Sequence, residues 1–270
     1  MPTIVLPHSE PLTEAQKAQA EPFMEIFGQE IMTCFYSQTW STRAAAIQKV
    51  EEQLHNLDPR RRDAMYGEIN RSNLPPELTV KVFLQFISEG FKDPNLKNYL
   101  SLLELVQKAL PTYFRYLQPG QIKAELTPLV KSTIGKTSDL KAKVREASIN
   151  FCLYLSHQSP IGPEVMIKQV IEELKTALRP QTTDNSSTGG AGSVASATSS
   201  FGSSHLIASC LQLMNEFQQQ TKLVEAIDSP LFNKYMECIN EALRHTNPTV
   251  RKQGEALFKI LYIEFGEALL

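Results

Sequence analysis

The sequence predicts an all-α solenoid of helical hairpins, and two observations carry that prediction. Thr42-Arg43, Leu96-Lys97, Val144-Arg145 and Val250-Arg251 each open an apolar, helix-like run after a polar corner, and their basic residues are separated by 54, 48 and 106 residues, the last being twice 53. Cap chemistry repeats as well, because Asp93-Pro94 and Asn247-Pro248 each set a capping side chain before a proline suited to the first helical position. A corner, a basic residue and an apolar helix recurring at this period mark stacked hairpins, none of which can bury its apolar face alone. The corners of such a stack face one edge, and that edge is where a partner would bind.

The repeat length is that of HEAT-type hairpins, about five of them. Composition agrees with a soluble chain of this kind: 42% hydrophobic, 21% charged and a net charge of −2, which argues against a nucleic-acid binder. The start MPTIVLPHSEPLTEAQKAQ has neither a charged n-region nor an apolar h-region, and no apolar run approaches about 18 residues, so neither an export signal nor a membrane span is expected. Cys34, Cys152, Cys210 and Cys238 lie far apart in apolar helical stretches without metal-ligand spacing, which predicts reduced core residues of a cytoplasmic protein and no metal.

The elements follow in order. Residues 1–18, with three prolines, are expected to be a flexible leader, and residues 19–270 a single domain. The first hairpin runs from Pro22 through Tyr36, breaks at Ser37-Gln38-Thr39-Trp40 and resumes from Ser41 as N-cap into an alanine-rich helix. Leu54 to Arg71 is a polar, arginine-rich connection. The second hairpin starts at Pro75-Pro76-Glu77, reaches Gly90, turns at 91–94 with Asp93 as cap, and continues to Leu110. The third spans Ile122 to Leu155 with its turn at 135–139, and the fifth spans Leu231 to Phe265 around Thr246-Asn247-Pro248-Thr249. The fourth corner is due near residue 198, where a Ser/Thr/Gly/Ala tract at about 182–203 is too poor in apolar residues to order itself. The amphipathic stretches Glu164 to Leu178 and His205 to Phe217 flank it, which favours a disordered loop within a repeat, although a linker between domains would have the same composition.

Trp40, the lone tryptophan, sits in a turn between two amphipathic helices. It either folds back as a plug over the hairpin end or stands out as a binding anchor. Basic residues gather at the same corners: Arg43; Lys92 and Lys97; Lys136, Lys141, Lys143 and Arg145; Arg251 and Lys252. Cations near helix N-termini oppose the helix dipole, so their repetition points to an acidic partner, with a share left for structural pairing between repeats. Nothing suggests catalysis: the five histidines are scattered, and no phosphate loop, H-E-x-x-H or G-x-S-x-G is present, so no enzyme and no cofactor are expected. Ser72-Asn73-Leu74-Pro75 approximates an S-x-[IL]-P peptide of the kind end-binding proteins take up, but a proline-led helix start explains it equally.

The run Phe27-Gly28-Gln29-Glu30-Ile31 with Tyr36-Ser37-Gln38-Thr39-Trp40-Ser41-Thr42-Arg43 resembles the opening of a TOG domain. The likeness continues at Lys92-Asp93, at 143–151, at Ser204-His205-Leu206 and at 242–251, and so covers most of the chain from Pro22 onward. What the resemblance implies is binding of the αβ-tubulin heterodimer through intra-repeat loops. Trp40 is then the apolar contact, Lys92, Lys136, Lys143, Arg145, Arg251 and Lys252 are basic contacts, and the setting is the cytoskeleton, at a cilium tip, centriole or centrosome. The alternative is a generic HEAT scaffold, or the TOG-like region of a signalling kinase, with no tubulin contact. The Ser/Gly-rich insert departs from the short loop expected on that edge, and phosphates there would oppose an acidic partner. Residues 266–270 stop mid-pattern without a sixth hairpin, so the chain is expected to be a domain from a longer protein, whose coiled coil and zinc fingers are not found here.

Overall fold

Thr13 opens the first helix. Its side chain accepts from the Gln16 backbone N–H while the Gln16 side chain bonds back to Thr13, a reciprocal box that starts α1, Glu14–Phe27. The helix therefore begins inside the stretch expected to be a leader, and it passes through Pro22, which the sequence reading took for a helix start. Residues ahead of it are tied down too: Ser37 Oγ donates to Glu10 at 3.1 Å, and Cys34 Sγ to the Pro7 carbonyl at 3.4 Å.

The computed structural model describes residues 4–56, 76–114, 117–159, 161–179 and 195–266. Eleven helices and no strand occur among them. After α1 come α2 (Gln29–Phe35), α3 (Trp40–Asn56), α4 (Pro76–Gly90), α5 (Leu96–Tyr113), α6 (Pro119–Lys136), α7 (Ala142–Ser156), α8 (Gly162–Leu178), α9 (Ala195–Thr221), α10 (Pro230–Leu243) and α11 (Pro248–Phe265). The chain forms two compact units, Met1–Leu129 and Val130–Leu270.

In the first unit α2 packs on α3 and α4 on α5, while α3 stacks on α5 and α1 on α4. Phe86 of α4 gathers Phe35, Phe27 and Phe23, with ring centroids at 4.4, 5.1 and 6.2 Å. Gly28 splits what the periodicity had joined from Pro22 to Tyr36. Its φ of +90° ends α1 and starts α2, a conformation that a side chain strains. Gly28→Ala is expected to destabilise the unit by about 1–2 kcal/mol, measured by urea unfolding.

In the second unit α8 packs on α9 and α10 on α11. Like helices of consecutive hairpins stack, α7 on α9 on α11 and α8 on α10. Phe151, Met166, Ile171, Leu211, Met214, Phe217 and Tyr235 form much of the core. Surface ion pairs join neighbours, Lys131 to Glu173 at 3.2 Å and Lys175 to Glu237 at 2.7 Å. Gly254 permits the α10–α11 approach, since a Cβ there would lie 2.9 Å from the Ala242 Cβ. Gly254→Val is expected to cost about 2 kcal/mol or more, seen as a lowered Tm.

The C-terminal boundary of the expected insert moved. The corner expected near residue 198 lies inside α9, which starts at Ala195, because a helix once nucleated extends through alanine and serine at the gain of one backbone bond per residue. The rest of the expected insert, 182–194, lies outside the described residues, as do 57–75 with the Ser72–Pro75 motif. All four cysteines are buried and free, and burial pushes the Cys152 thiol up to about 12. No described helix is long and apolar enough to cross a membrane.

Candidate functional site at the helix corners

The first corner is built around Arg43. Its Nη1 donates to the Ser37 and Gln38 carbonyls, both at 2.9 Å, and closes the turn between α2 and α3. Its Nε and Nη2 meet Asp93 at 2.7 and 2.9 Å, a bidentate pair with side-chain exposures of 17% and 7%. The sequence reading made Asp93 an N-cap; that cap is Asn95, whose side chain accepts from the Lys97 and Asn98 backbone N–H groups. Asp93 instead accepts from Arg43, from Asn98 Nδ2 at 2.7 Å and from the Asn95 backbone at 2.8 Å. Burial alone would raise its pKa, but these bonds outweigh burial and hold the carboxyl below its ordinary value.

This junction fixes Trp40. The tryptophan is the first residue of α3, so the expected cap at Ser41, with a helix from Thr42, gives way to a helix that starts two residues earlier. Asn98 Nδ2 donates to the Trp40 carbonyl at 3.1 Å, which ties the first corner to the second. The ring itself is turned outward: Trp40 is 45% exposed, and Lys97 Nζ lies over it, 5.2 Å from the centroid. The ring is therefore not folded away as a plug over the hairpin end. Lys92, at the second corner, has its side chain 72% exposed and paired to Glu89.

In the second unit the third and fifth corners repeat the arginine device. Arg145 Nη1 donates to the Asp139 and Leu140 carbonyls at 2.8 and 2.9 Å; Arg251 Nη1 donates to the His245 and Thr246 carbonyls at 2.9 and 2.7 Å. Each arginine is the fourth residue of its helix and reaches back five and six residues, as Arg43 does. The carbonyl dipoles ahead of the helix answer the cation that the helix dipole opposes. Lys136 ends α6, Lys141 caps α7 without a side-chain bond to the helix, Lys143 and Lys252 are exposed, and Ser209 Oγ reaches the Thr137 carbonyl at 2.9 Å.

The second corner corrects the register of the repeat. Asn98, not Lys97, is the third residue of its helix and is buried like Thr42, Val144 and Val250. Tyr99 therefore stands where the arginines stand, edge-on to Phe91 at 5.0 Å. Lys97 shares the place of Ser41, Lys143 and Thr249, the second helical residue. An apolar–basic pair could be read from sequence two residues early, because only the Asn95 cap sets where the helix begins. Arg43 of the first corner supplies the missing clamp through Asp93.

Helical hairpins, three of whose corners are closed by a part-buried arginine bonded to turn carbonyls, make this an all-α, HEAT-type fold, and it is the fold of a TOG domain. The solved CEP104 TOG domain matches 97% of this chain and 90% of its own at 17% identity and a TM-score of 0.69, and the TOG domain of human Cep104 matches 98% and 89% at 18% and 0.67. The TOG domain of C. elegans Zyg9 matches 88% and 72% at 14% identity and a TM-score of 0.55. The first-corner run resembles the opening of a TOG domain, and the fold agrees with it. The chain matches no protein-family model and no curated protein sequence.

Proposed function

We propose that this chain is a non-catalytic binding domain for the αβ-tubulin heterodimer, working through its intra-repeat corners in a cytoskeletal setting. The observation that carries the proposal is the outward indole of Trp40, on a junction held by Arg43 and Asp93 and roofed by Lys97. A large ring kept at a rigid corner is a preorganised anchor, since little side-chain freedom is lost when it binds. The basic residues divide by role. Arg43 is committed to the fold through all three of its nitrogens, while Arg145 and Arg251 use one nitrogen on their corners and keep another edge for a partner. Lys92, Lys97, Lys136, Lys141, Lys143 and Lys252 supply positive charge toward acidic surface.

Gel filtration with αβ-tubulin tests the reading: co-elution is expected, and separate peaks would refute it and favour a scaffold without tubulin contact. Charge steering predicts a further result. Lys143→Ala and Lys252→Ala are expected to slow association several-fold in stopped-flow mixing at low salt, with little change in dissociation, and raising salt should erase the difference.

A further inference from the structure

Leu140 is 91% exposed, the most exposed of the large hydrophobic residues described. It is not on a loose loop. Its carbonyl accepts from Arg145 at 2.9 Å, the Lys141 N–H donates to Asp139 Oδ1 at 2.9 Å, and the Asp139 N–H donates to the Lys136 carbonyl at 3.1 Å. The third corner is thus a closed turn that holds one leucine out into water.

The other arginine-closed corners show that the fold does not ask for an apolar residue there. The position whose carbonyl accepts from the arginine five residues later is Gln38 at the first corner, Leu140 at the third and Thr246 at the fifth. Glutamine and threonine offer the same carbonyl with polar side chains. The leucine side chain therefore adds nothing to the turn and leaves apolar surface in solvent, next to the exposed Lys141 and Lys143.

We infer that Leu140 is a second apolar anchor for the acidic protein partner, an inference that rests on the function proposed above. The lysines beside it draw in an acidic surface, and the leucine seals against an apolar patch within it. Its contribution comes from desolvation, so salt leaves it standing while the lysine contributions fade. Leu140→Ser in the full chain is expected to weaken αβ-tubulin binding about tenfold by fluorescence titration, with the same ratio to wild type at low and high salt and an unchanged Tm. Wild-type binding with equal affinity for Leu140→Ser overturns this inference and leaves the proposed function intact. No tubulin binding by the wild type overturns both. A change in the chain's own oligomeric state by light scattering, with tubulin affinity unmoved, gives the leucine to self-association and also overturns it.

Discussion

Trp40→Ala is expected to abolish co-elution with αβ-tubulin while leaving the domain folded. Truncating an anchor at the centre of an interface costs about 2–4 kcal/mol, or roughly 30- to 1000-fold in Kd. The domain itself should lose far less. The indole is 45% exposed, and what it gives up within the chain is partial burial and the Lys97 contact over its face. That is about 1 kcal/mol, a Tm shift of a few degrees. Trp40→Phe should recover part of the affinity, because a ring still projects from the same rigid corner. Unchanged binding by the alanine variant, measured beside an unchanged melting curve, would remove the central support for the proposed function.

Asp93→Ala is expected to produce the largest loss of stability. It leaves the Arg43 guanidinium without its carboxylate, and the Asn98 amide and Asn95 N–H each lose an acceptor at the same point. Breaking a mostly buried pair of this kind costs about 3 kcal/mol, on the order of 10 °C in Tm. The same carboxyl gives a pH signature. Its folded-state pKa lies below the ordinary value. The stabilisation is therefore complete above the unfolded value of about 4 and disappears as pH falls through the lower folded value. Urea unfolding from pH 7 down to 2 should show wild type losing an acid-dependent increment that Asp93→Ala lacks. Parallel curves for the two proteins would show that Asp93 does not carry it. Tubulin affinity should fall as well, since the junction aims Trp40, and lowering the temperature to keep the variant folded separates that effect from unfolding.

The two results together divide the corner into a contact and its support. Under the proposed function Trp40 meets the partner, so its loss is expected to move affinity far more than stability. Arg43 and Asp93 hold the corner, so their loss moves stability first. Composition made both look alike, because an arginine in a corner is a cation whether it faces a partner or a carbonyl.

Much of the fold was legible in the residues themselves. Apolar spacing located α4, α8, α10 and α11, and Asn247-Pro248 capped α11 as expected, since caps act on N–H groups two or three residues away. The same logic failed at Asp93-Pro94, where a capping residue was drawn off by an arginine 50 residues distant and Asn95 took its place. It failed also at Gly28, where a positive φ broke a periodicity that continues on both sides of it.

What the sequence determined alone is a set of helices joined by polar corners, a single tryptophan at the first of them, and cations at the first, second, third and fifth. Short-range forces set these features: helical periodicity, caps and turn chemistry all act within a few residues. Tertiary structure decided which way the side chains at those corners turn. Arg43 faces inward because a carboxylate from the next hairpin lies within reach, and Trp40, its backbone carbonyl held by Asn98, keeps its ring exposed. Leu140 is exposed because a closed turn leaves it no core to enter. The Arg43 and Trp40 outcomes depend on contacts between residues tens of positions apart, which no local pattern encodes.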